Sequence, residues 1–196
     1  MTPAVDPTQH IWWLMSRASG IVALGLIAVS VGLGLTMANK LVRGAKVAGI
    51  HEQLSLAGLV AIAIHGLTLL GDPWLNPGLS GIVIPFHMAY RSAFTGVGII
   101  GGYLAAALGL SFYIRRRIGA KLWRKLHRFT PVAYVMSLVH AIGAGTDAST
   151  AWFRTFMLAS AAPITVLFVM RLVKSALKSR RPAAKRGSSR AITDVV

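Results

Sequence analysis

Residues 51–65 read H51-EQLSLAGLVAIAI-H65, and this stretch decides the fold. It is apolar enough for hydrocarbon, and its run from Ile50 to Gly71 reaches the about 20 residues that a transmembrane helix needs. Yet an imidazole stands at each end. A second stretch, H127-RFTPVAYVMSLV-H140, repeats the device. Ionisable side chains are costly inside a membrane, so each of these four histidines is a candidate for function.

The rest of the chain supports the membrane setting. Charged residues make up 13% of the sequence and hydrophobic residues 55%. Soluble domains carry roughly 25% charge, and could not hide so much apolar surface. Five apolar runs are read as spans: 12–38, 50–71, 92–114, 129–145 and 152–172. The first is too long for a signal-peptide core and has no basic residue before Arg17, so it is read as a retained span. Nearly all of the 21 Lys and Arg residues follow spans one, three and five. Basic loops stay cytoplasmic, which places the N-terminus outside and the C-terminus inside.

The expected fold class is therefore all-α, a polytopic transmembrane bundle of about five spans in a cell membrane of bacterial plasma-membrane type. Residues 1–174 form the bundle, and residues 175–196 form a basic, disordered cytoplasmic tail. The net charge of +16 serves orientation and attraction to anionic lipid rather than nucleic-acid binding. Residues 72–91 read as a structured cap or re-entrant segment on the outer face.

Spans two and four run in the same direction, so His51 and His127 share the inner depth and His65 and His140 the outer. Fourteen residues from His51 to His65 keep both rings near one helix face, roughly 21 Å apart. Gly58 lies midway on that face, leaving room for a macrocycle or a close helix. Thirteen residues from His127 to His140 rise a similar roughly 20 Å, but leave the rings roughly 140° apart around a straight helix. A distortion near Pro131 must correct this.

Two imidazole pairs at two depths suit two stacked haems. Neutral imidazole is a strong axial ligand that brings no charge into the bilayer. Six-coordination favours electron transfer over oxygen binding. With no cysteine, thiolate zinc, iron–sulfur and c-type haem sites are excluded. A bare zinc or copper site is disfavoured because no carboxylate sits mid-membrane and the two layers are too distant to share an ion.

These residues carry a resemblance. The spacings H51-x13-H65 and H127-x12-H140, the segment W123-RKLHRFTPVAYVMSLVHAIGAG and the opening R17-ASG resemble the ferric reductase-like transmembrane domain, shared by ferric reductases, NADPH oxidases and MsrQ-like haem-binding membrane subunits. The resemblance spans roughly residues 12–172. It implies a bundle binding two b-type haems, the inner iron held by His51 and His127 and the outer by His65 and His140. Arg17 and Arg91 would face the outer haem propionates, and Arg124 and Arg128 the inner ones, unless these arginines merely snorkel to the interface. The implied activity is that of an electron-transfer oxidoreductase subunit. The segment after Leu172 is too short for a flavin- or nicotinamide-binding fold. The donor is thus expected to be a separate flavoprotein or a membrane quinol, and the acceptor an outer-side metal ion, oxygen or soluble reductase.

Two alternatives belong to other classes: a small transporter or channel with a histidine proton path, and a non-catalytic scaffold subunit. Neither broken helices nor paired repeats favour the first. Gly96-Val-Gly98-Ile-Ile-Gly101 matches a dinucleotide fingerprint, but inside an apolar span it reads as close helix packing. His10 and His87 read as surface residues, the latter with access to an outer acceptor. Glu52 is read as an interfacial partner of Lys46 or Arg128, or as a proton relay for quinol chemistry.

Overall fold

Long apolar runs without internal breakers give long helices. The computed structural model describes residues 10–179. Among these the structure is helical throughout, with no strand. Helix α1 spans Ile11–Ala38 and α2 spans Ala45–Thr68, the latter continued by a 3₁₀ turn, Leu69–Gly71. Short α3, Gly78–Val83, precedes α4, Ser92–Leu110. Two short helices, α5 (Arg115–Ile118) and α6 (Ala120–Leu126), lead through a 3₁₀ turn, His127–Phe129, into α7, Thr130–Ala144. Helix α8 spans Ala151–Ser179.

Among the described residues four helices are long and apolar enough to cross a membrane: α1, α2 with its 3₁₀ extension, α4 and α8. The fourth expected span is different. Helix α7 has 15 residues, about 22 Å of rise against about 30 Å of hydrocarbon. Its approach is interrupted by the 3₁₀ turn, and Pro131 sits in its first turn, where a missing N–H costs nothing. Helix α4 stops at Leu110, short of the expected Ile114, because residues 111–114 turn. The expected tail is also corrected. Ser175 to Ser179 continue α8, since no proline or glycine stops it before Arg181-Pro182. Residues 180–196 lie outside the described residues.

Helix α1 is the central staff. Its Leu24, Ile27, Ala28, Val31 and Leu35 form the core with Tyr134 of α7 and Phe153, Met157 and Ile164 of α8. The Tyr134 hydroxyl donates to Ser160 Oγ at 2.8 Å, so the one fully buried ring also satisfies its polar tip. Opposite faces carry exposed Val22, Val29, Val60, Leu158 and Val166, which fits helices solvated by lipid.

Close approaches fall at glycines. Gly58 faces Ile27 and Leu26, so it admits α1 rather than a macrocycle. The fingerprint-like glycines of α4 are packing notches: Gly96 receives Phe86, Gly98 receives His140 and Gly101 receives Met136. In residues 72–91, Asp72 Oδ1 accepts the N–H groups of Trp74 and Leu75 at 2.9 and 3.0 Å. Tyr103 of α4 donates to Val83 O at 2.5 Å, tying α3 down.

Candidate functional site

The four histidines of α2 and the α6–α7 segment meet in two pairs. His51 lies beside His127, with ring centroids 6.2 Å apart and planes at 86°. His65 lies beside His140 at 6.0 Å and 75°. Because the first histidine of each helix meets the first of the other, α2 and the α6–α7 segment run parallel. The 3₁₀ turn beginning at His127 advances about 120° per residue instead of about 100°, which recovers about 60° of the missing rotation.

A metal ion between the rings of a pair, bound about 2.0 Å from each Nε2, would set the centroids about 6.3 Å apart, close to the 6.2 and 6.0 Å found. Among the described residues no group of three or more His, Asp or Glu could hold an ion by itself. Each pair brings only two imidazole rings together, so an ion held there would need further donors from elsewhere. A cavity of about 320 Å³ and a smaller one of about 30 Å³ both touch His51 and His127, leaving space on two sides of that pair.

Three of the four rings are seated alike. His65 Nδ1 lies 2.7 Å from Ser16 O, His51 Nδ1 2.9 Å from Ser30 O, and His140 Nδ1 3.0 Å from Phe94 O. Each Nδ1–H therefore donates to a backbone carbonyl, fixing the tautomer that leaves the Nε2 lone pair free. Four residues after each carbonyl stands a glycine: Gly20, Gly34 and Gly98. A helical Cβ tilts toward the N-terminus, so a side chain at i+4 covers the carbonyl of residue i. Glycine uncovers it. A Cβ at Gly98 would come within 2.4 Å of His140 Nδ1, at Gly20 within 2.8 Å of His65 Nδ1, and at Gly34 within 3.3 Å of His51 Cε1. Ser16 and Ser30 add hydroxyls 3.1 Å from the same Nδ1 atoms.

The fourth seat departs from this. By register the fourth carbonyl is Leu108 O, 14 residues after Phe94, but His127 Nδ1 is buried without a hydrogen bond of good geometry. The residue four after Leu108 is Phe112, not glycine. The His127 ring instead stacks on Trp123, centroids 5.0 Å apart and planes at 25°.

The candidate arginines divide. Arg17 forms a two-pronged ion pair with Asp147, its Nε donating to Oδ2 at 2.6 Å and its other nitrogen to Oδ1. Its charge thus ties α1 to the loop after α7 instead of standing free for a propionate. Arg91 donates to Gly143 O at 2.5 Å, close in sequence to His140. Arg124 and Arg128 line the larger cavity, and Arg171 of α8 joins them. Arg171 is a site residue that counting loop charges hid among the tail basics. Glu52 accepts from Tyr113 Oη at 2.8 Å, so its partner is neither Lys46 nor Arg128. His87 and His10 are exposed and lie outside both pairs.

The chain matches no family model, no curated protein and no solved structure.

Proposed function

We propose that this chain is a membrane dihaem b-type cytochrome of the ferric reductase-like kind, with five membrane passes, the short α7 among them, and the N-terminus outside. The observation that carries this is the pair of histidine couples on parallel helices, their ring centroids 6.2 and 6.0 Å apart, a separation into which one iron per couple would fit. Bound b-type haem supplies one-electron chemistry at each couple.

The residues have definable tasks. His51 and His127 present nitrogens at the inner depth, His65 and His140 at the outer. A haem held between the two imidazoles of a couple would supply electron transfer rather than oxygen binding. The carbonyls of Ser16, Ser30 and Phe94 hold three rings at fixed orientation and raise their basicity. Arg124, Arg128 and Arg171 supply positive charge where the inner propionates would lie. Arg91 serves the outer layer. Electrons would arrive from a cytoplasmic flavoprotein or a quinol, and leave to an outer metal ion, oxygen or soluble reductase.

A reduced-minus-oxidised absorbance spectrum of the purified chain tests this. The expected result is b-type bands titrating as two centres. A colourless protein from haem-sufficient cells would reject it, in favour of a histidine-lined proton path or a scaffold subunit.

A further inference from the structure

We propose that Trp123 is the positioning residue for the inner axial ligand, setting by stacking the ring plane that backbone carbonyls set at the other three histidines. The inference rests on the dihaem reading above and concerns how one of its ligands is held.

Three observations meet at this place. First, the fourth carbonyl seat is built differently. Phe112 stands four residues after Leu108, where the other seats have glycine, and the Ser111 hydroxyl donates to Leu108 O at 2.6 Å. Second, His127 Nδ1 is buried and makes no hydrogen bond of good geometry, Leu108 O included, so the backbone holds this ring less firmly than the other three. Third, the indole lies nearly parallel to the imidazole, 25° off, at 5.0 Å. Trp123 and His127 are i and i+4, which puts both side chains on one helical face. The His127 N–H donates to Trp123 O, holding that register through the start of the 3₁₀ turn.

The indole is itself braced. The Phe112 ring lies tilted beside it, centroids 5.9 Å apart, and Arg115 lies 3.7 Å over the Phe112 ring. Trp123 Nε1 is buried with no acceptor, so the ring is not anchored there by a hydrogen bond of its own. The residue that removes glycine from the fourth seat is thus also a support for the ring that replaces the carbonyl. The outcome is an imidazole plane held at 86° to its partner's. A ferric haem held between these two rings would report the angle between their planes in its resonance, and free rotation of His127 would broaden or shift that signal.

The test uses the haem-loaded, full-length protein. The inner and outer resonances are assigned in His65→Ala and His51→Ala variants. Trp123→Met fills the volume with a flexible chain, and Trp123→Phe keeps a ring to stack. The expected result is a broadened or shifted inner resonance in the Met variant, restored in the Phe variant, with the outer resonance unchanged in both. An unchanged inner resonance in the Met variant would overturn the proposal. So would equal shifts in both variants, or loss of both haems from the Met variant, which would make Trp123 a folding residue. Absence of haem from the unaltered protein would reject the dihaem reading instead.

Discussion

Replacing Gly98 with Ala should remove one haem and spare the other. The added Cβ would lie 2.4 Å from His140 Nδ1 and 2.6 Å from its Cγ. Comfortable carbon contacts begin near about 3.5 Å, so the ring must retreat by about 1 Å. That lengthens its 3.0 Å bond to Phe94 O past hydrogen-bond range and spoils the 6.0 Å spacing to His65. Overpacking costs about 1–3 kcal/mol and the lost hydrogen bond about 1 kcal/mol. A total of about 2–4 kcal/mol corresponds to roughly 30- to 1,000-fold weaker outer-haem binding. The assay is haem content per chain, with difference spectra taken during competition by a soluble haem acceptor. Gly102→Ala, one turn further on, is the control, since its Cβ meets only Ile62 at an ordinary 3.5 Å. Two tightly held haems in Gly98→Ala, with spectra matching the control, would refute the seat as the reason for this glycine.

Other substitutions separate the remaining parts. Ser111→Ala frees Leu108 O from its 2.6 Å hydroxyl partner; a new His127 Nδ1 hydrogen bond of about 1 kcal/mol would lower the inner midpoint potential by about 40 mV in a redox titration. Asp147→Asn strips half-exposed Arg17 of its charged partner and should cost about 1–3 kcal/mol in thermal unfolding in detergent, with both haems retained before the transition. Arg171→Gln should weaken the inner haem several-fold relative to the outer in the same competition assay, because it removes one cation from the cavity beside His51 and His127. Ser30→Ala removes hydroxyl contacts to His51 and Ser55 at 3.1 and 2.6 Å but leaves the carbonyl, so inner-haem affinity should fall by no more than about tenfold.

Much of the helical frame was legible because apolar runs are a property of single segments. The histidine spacings were legible too, since matched rises along two helices depend only on residue number. What was hidden depends on what one helix presents to another. Gly98 reads as one more small residue in an apolar span, and only the ring opposite it gives it a task. The signal was nevertheless present as register: Ser16 and Ser30 lie 14 residues apart, as do Phe94 and Leu108, and three of these four are followed at i+4 by glycine. Arg17 drew attention as a cation in an apolar run, but its partner Asp147 is 130 positions away and no local pattern links them. The fourth run, 129–145, already read as the shortest span, but the 3₁₀ turn before α7 was hidden because hydropathy does not distinguish it from α-helical residues.

Haem stoichiometry across the four single His→Ala variants tests the central claim most directly. The unaltered chain should hold two b-type haems, and each variant about one. His51→Ala and His127→Ala should leave the same residual spectrum, and His65→Ala and His140→Ala should share a second, different one. No bound haem, or residual spectra that pair His51 with His65, would contradict it.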